Sequence, residues 1–129
     1  MYFIYVSNDV QATDAFENVL HKIDRKKVLI TVPNGYELIQ FLQNVKKGES
    51  YPDLIILTPD HLRISGKELL ELLKVDDIYC LIPVVMLFHE RINTQDEAFC
   101  RQLGTEFMLA PKAQPEWMSA VKKMCAVCS

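Results

Sequence analysis

Apolar positions along the chain fall into two alternating regimes. Residues 2–6, 28–32, 54–57, 82–88 and 107–109 are short, nearly unbroken apolar runs. They read as strands covered on both faces, not as the in-and-out alternation of a half-solvated sheet. Between and after them, apolar residues recur at helical spacing. Ala12, Ala15, Phe16, Val19, Leu20 and Ile23 predict a first helix, and Leu38, Phe41, Leu42 and Val45 a second. Leu69, Leu70, Leu72 and Leu73 predict a third, Ala98, Phe99, Cys100 and Leu103 a fourth, and Trp117, Ala120, Val121 and Met124 a fifth. Thr94 followed by Glu97 predicts a capping box at the fourth helix, and Pro115 suits the first turn of the fifth. The pattern is (βα)5.

Strict alternation with right-handed crossovers requires a parallel sheet between two layers of helices, an α/β three-layer sandwich. Five strands in a chain of this length suit the doubly wound order 2-1-3-4-5, whose ligand crevice lies beyond the carboxyl ends of the strands. Candidate functional positions are therefore Ser7, Asn8 and Asp9, Thr58 to Asp60, the region of Phe88, and Ala110 to Lys112.

The 129 residues are enough for one core, so one domain is expected over residues 1–124, followed by a tail of 125–129. With 50% hydrophobic and 24% charged residues the composition is that of a chain that folds unaided. A net charge of -3 and a pI near 5.6 supply no basic stripe for a phosphate backbone or an anionic bilayer, which argues against nucleic acid and membrane as partners. The opening apolar run has no basic leader and is too short for an export signal, so a cytoplasmic, reducing location is expected. Cys125 and Cys128 form a CxxC, but no second Cys/His pair stands at ligand spacing to complete a zinc site, and neither metal nor cofactor is expected. The bland reading of this pair is a frayed helical tail. His21, His61 and His89 lie in separate segments and read as surface or loop histidines. The loop from Ser7 to Thr13 lacks glycine and makes no phosphate cradle for a flavin.

Several stretches, in order and nearly ungapped, resemble the receiver domains of bacterial two-component response regulators (CheY-like domains), over residues 2–124. They are Pro52-Asp53-Leu54-Ile55-Ile56-Leu57, then Leu62-Arg63-Ile64-Ser65-Gly66-Lys67-Glu68-Leu69-Leu70, then Ile82-Pro83-Val84-Val85-Met86-Leu87, and Leu103-Gly104 leading to Phe107 and Pro111. In that family two acidic residues after the first strand and an aspartate after the third hold Mg²⁺, and the last accepts a phosphoryl group from a histidine kinase. Here the acidic pair falls on Ser7 and Asn8 and the acceptor on Thr58. The family's hydroxyl after the fourth strand falls on Phe88, and its lysine before the proline falls on Ala110. Neutral groups bind Mg²⁺ poorly, and phosphoryl transfer depends on positioned charge. The resemblance thus implies a degenerate receiver, a pseudo-receiver without catalytic residues that acts by binding protein.

Asp9, Asp60 and Lys112 are the residual charged groups near the crevice. Asp9 and Asp60 sharing a cation is one reading; Asp9 capping the first helix is the other. Thr58 and His61 are alternative phosphorylation positions. Phe107 occupies the family's switch aromatic, which turns inward on phosphorylation. Phe88 either fills the space it would turn into or simply extends the core. The family's Lys-Pro bond is commonly cis, which predicts a cis Ala110-Pro111 bond. The resemblance implies a partner surface on the fourth helix, fifth strand and fifth helix, over residues 93–101 and 116–123, for a pathway component or a second copy. The rival function is a small-ligand or metal sensor, or an enzyme, using Asp9, Asp60, Thr58 and Lys112 in the same crevice.

Overall fold

The apolar runs become strands and the periodic segments become helices, with bounds set by local chemistry. The computed structural model describes residues 2–59 and 65–128. Its order is β1 (Tyr2–Val6), α1 (Val10–Ile23), β2 (Val28–Val32), α2 (Gly35–Gln43), β3 (Leu54–Leu57), α3 (Gly66–Val75), a short 3-10 turn (Tyr79–Leu81), β4 (Val84–Phe88), α4 (Thr94–Gln102), β5 (Glu106–Leu109) and α5 (Gln114–Val127). The strands form one parallel sheet, as the alternation requires, in the expected order β2-β1-β3-β4-β5.

Side chains start four of the helices. Asp9, Asn34, Ser65 and Asn93 accept the N–H groups of Ala12, Glu37, Glu68 and Asp96, which have no partner inside their helices. Asn93, not Thr94, is therefore the cap of α4, a correction to the expected capping box. Its side-chain amide oxygen reaches the third residue on at 2.8 Å, and Thr94 is already helical. The fourth strand begins at Val84 and not at residue 82, because Pro83 has no N–H to enter a ladder and the Ile82 N–H closes the 3-10 turn onto Tyr79. The last helix continues through Cys125 to Val127, past the point where the tail was expected.

Two hydrophobic layers flank the sheet. Ile4, Val6, Ile55, Leu57, Val84, Met86 and Phe88 face α2, α3 and α4, while Phe3, Tyr5, Leu54, Ile56, Val85 and Leu87 face α1 and α5. β3 and β4 are buried throughout, whereas the edge strands β2 and β5 are partly exposed. This is why the central runs are the most uniformly apolar ones.

Gly104, at φ +65, ends α4: its N–H donates to Arg101 and that of Thr105 to Cys100, the paired bonds of a Schellman motif. A Cβ there would meet nothing within 4 Å. Gly104→Ala is expected to cost about 1–2 kcal/mol, through left-handed backbone strain alone, in a urea melt.

Candidate functional site at the carboxyl ends of the strands

Ser7 extends the pairing of β1 with β2, its N–H donating to Val32 at 2.9 Å. Its hydroxyl oxygen accepts the Asp9 N–H at 3.0 Å, and the same hydroxyl is close enough to the Tyr5 phenol to influence its ionisation. Burial raises the pKa of that phenol; the nearby Asp9 charge adds to the rise and the Ser7 hydroxyl opposes it. Asn8 is exposed. Asp9 accepts from Ala12 through its carboxylate at 3.1 Å and from the Thr13 hydroxyl through its carbonyl at 2.9 Å, so it is the cap of α1.

Thr58 follows β3 and is 5% exposed. Gly66 positions it, because the first residue of α3 lies directly on the Thr58–Pro59 backbone and donates its N–H to Pro59 at 2.9 Å. Phe88 ends β4 with its ring 4% exposed, and Ala110 donates its N–H to the Phe88 carbonyl at 2.8 Å. Strand-like pairing thus runs up to the proline, and the bond that follows is trans. No cis peptide occurs among the described residues, which corrects the expected cis Ala110-Pro111. Trans is the ordinary preference of an X-Pro bond, by about 0.5–1 kcal/mol.

Phe107 is half-buried against the same layer as Phe88. The Arg101 guanidinium lies 5.6 Å from its ring centroid and donates two bonds to Glu97. Phe107 pairs in register with Met86, one side-chain step below Phe88 on the same face.

The side chains of Ser7, Asn8, Thr58, Phe88 and Ala110 are a hydroxyl, an amide, a second hydroxyl, a phenyl and a methyl, none of them ionisable in the ordinary pH range. The structure brings Ser7, Thr58, Phe88 and Ala110 to one end of the sheet and turns Asp9 to helix capping. Lys112 lines a groove of about 530 Å³ between α1 and α5, together with Asp9, Lys22 and Trp117 and without Thr58 or Phe88. Its backbone N–H donates to Glu116 at 2.8 Å. Asp60 and His61 lie outside the described residues. Among the described residues no three His, Cys, Asp or Glu side chains stand together as a metal site, and no helix is long and apolar enough to cross a membrane.

Two features escape sequence reasoning. Lys67 and Asp96 form an ion pair that ties the start of α3 to the start of α4, beside Phe88 and His89. The other is the close approach of Gly66 to Thr58, for which the only signal is a glycine immediately after a capping serine. Burial pushes the Cys100 thiol on α4 up to about 11, Asp96 adding and Lys67 opposing, so it stays a neutral core group.

No protein-family model and no curated protein sequence matches the chain. Solved structures do. The Mn(2+)-bound form of response regulator Rcp1 matches with a TM-score of 0.81 at 21% identity, over 95% of this chain and 89% of that one. The phosphorylated cyanobacterial phytochrome response regulator RcpA gives 0.82 at 23% identity over the same shares. Chemotaxis protein CheY4 of Vibrio cholerae gives 0.74 at 16% identity, over 95% of this chain and 97% of that one. The chain therefore has the CheY-like receiver fold.

Proposed function

We propose that this chain is a cytoplasmic pseudo-receiver of two-component signalling that acts by binding protein, without phosphorylation. The observation that carries this reading is the burial of both Thr58, which follows β3, and Phe88, which ends the neighbouring strand β4, where a receiver of the phosphorylated kind needs an open pocket lined with carboxylates and a donor. Rcp1 was solved with Mn²⁺ and RcpA in phosphorylated form; this chain offers a neutral rim at the matching positions. The Phe88 ring also supports a blocked switch, since inserting a second aromatic into packed space costs about 1–3 kcal/mol and Phe107 already sits beneath Arg101.

The output surface in this reading is α4, β5 and α5. Leu109 is 55% exposed on the edge strand, and Met108, Pro111, Glu116, Ser119 and Lys123 line a shallow groove beside it. A pathway component or a second copy of the chain is the partner. Mg²⁺ with beryllofluoride, which mimics an acyl phosphate, is expected to leave the amide NMR spectrum of the wild type unchanged. A saturable shift around Thr58 and Phe107 would overturn the proposal.

The groove shared by Asp9, Lys22, Lys112 and Trp117 favours a second reading, a small-ligand sensor, because it sets two amines and a carboxylate over an aromatic floor. A thermal-shift screen of metabolites separates the two: stabilisation lost in Lys112→Met selects the sensor, and a flat screen selects the binding module.

A further inference from the structure

The other end of the sheet holds a cluster that the crevice does not use. Cys125 and Cys128 lie three residues apart at the end of α5, and both pack on the α1 and α5 side of the core while remaining partly exposed. The Cys128 thiol donates to the Met124 and Cys125 carbonyls, each at 3.6 Å, which turns its sulfur back over the preceding turn. Lys27, which lies 101 residues away in sequence and directly precedes β2, brings its ammonium to 4.0 Å from the Cys128 sulfur and 4.8 Å from the Phe3 ring centroid. Asp53 on the β3 side has a buried carboxylate oxygen, Oδ2, with no hydrogen-bond partner, and its charge is felt at Cys128, as that of Asp24 is at Cys125.

We propose that Cys125 and Cys128 are a thiol/disulfide couple, a redox modification site in which Lys27 positions and stabilises the attacking Cys128 sulfur. The inference is independent of the reading of the crevice.

The chemistry balances with a peroxide as oxidant. The Cys128 thiolate attacks one peroxide oxygen, the O–O bond breaks, and water leaves after protonation to give a sulfenic acid. The Cys125 thiolate then attacks that sulfur and expels the second water. Two thiols lose two electrons and two protons, and one peroxide becomes two waters. Neighbours three apart on a helix have Cβ atoms about 5–6 Å apart, wider than the roughly 3.5–4.5 Å of a disulfide. Cys128 is the C-cap, at φ -103 and ψ 9, outside the regular helix, with its backbone N–H turned back to the Ala126 carbonyl, so closing the gap unwinds no interior turn.

Burial raises both thiols, while Lys27 opposes the rise at each, Asp53 adds to it at Cys128, and Asp24 and the partner thiol add to it at Cys125. Raised thiols attack slowly near neutral pH. The couple is therefore expected to close slowly near neutral pH, unlike a fast exchange catalyst.

Trypsin cleavage after Lys123 isolates residues 124–129, which contain both cysteines and neither Cys80 nor Cys100. When the reduced, folded chain is treated with hydrogen peroxide at about pH 8, this peptide is expected to lose the mass of two hydrogens. Of the 4 thiols, half then remain titratable after unfolding. Lys27→Met is expected to slow closure about 3-fold or more in the folded chain, Lys27→Arg to restore it, and the rates in urea to be equal, as a cation about 4 Å from a thiolate predicts. A peptide that gains oxygen without losing hydrogens, or a crosslink to Cys80, would overturn the couple. A rate unchanged in Lys27→Met would overturn the role of the lysine.

Discussion

Gly66→Ala is expected to destabilise the fold by about 3 kcal/mol, the upper end of what overpacking a rigid site costs. The new methyl would lie inside the contact radius of the Thr58 carbonyl oxygen and 2.8 Å from the Pro59 Cα. Both obstacles are backbone, and both are fixed by the end of β3, whose four residues are buried. Relief therefore requires the first turn of α3 to retreat. That stretches the Gly66 to Pro59 bond and draws Leu69 and Leu70 out of the core, where both are fully buried. Gly48→Ala is the matched control, since φ there is +92 but nothing stands within 4 Å, so only backbone strain of about 1–2 kcal/mol is expected. Urea denaturation of the two variants checks the difference. Equal midpoints would mean that α3 can move without penalty and that Thr58 is not held by this contact. In Gly66→Ala the Thr58 amide should also exchange with solvent faster, because the same contact keeps it buried.

Under the proposed function, the combined changes Ser7→Asp, Asn8→Asp, Thr58→Asp, Phe88→Thr and Ala110→Lys are expected to create a Mg²⁺ site that the wild type is expected to lack. Without metal the variant should be much less stable. Loss of the Phe88 ring from the core costs on the order of 3–4 kcal/mol, and three carboxylates brought together repel one another. Millimolar Mg²⁺ binds only the folded form and should raise Tm by several degrees, while the wild-type Tm stays flat. Beryllofluoride should add a further rise in the variant alone. A companion variant that keeps Phe88 and carries the other four changes retains the core. If it folds by circular dichroism and still ignores Mg²⁺, the carboxylates do not converge and the assignment of the crevice fails. A wild type stabilised by Mg²⁺ as strongly as the variant would remove the basis of the proposed function.

Much of this was legible in one dimension. The apolar runs at 54–57 and 82–88 demand cover on both faces, and the helical period between them supplies it, so the parallel sheet follows from spacing, which its 2-1-3-4-5 order suits. That Ser7, Asn8, Thr58, Phe88 and Ala110 carry no ionisable carboxylate or amine is also a property of the sequence alone, because a side chain's ionisable chemistry is fixed by its identity. Local signals were less decisive where two neighbours compete. Asn93 displaced Thr94 as the α4 cap because its amide oxygen reached the free Asp96 N–H first, and Ala110 carried its strand pairing up to a trans proline.

What only the tertiary structure decided is which distant groups meet, since distances across the chain depend on how the layers are stacked and not on spacing. Lys67 meets Asp96 across two helices, Gly66 rests on the Thr58 backbone, and Lys112 and Asp9 share a groove that Thr58 does not line. Lys27 reaches Cys128 across 101 residues because β2 begins beneath the end of α5, and the chain order contains no trace of that contact.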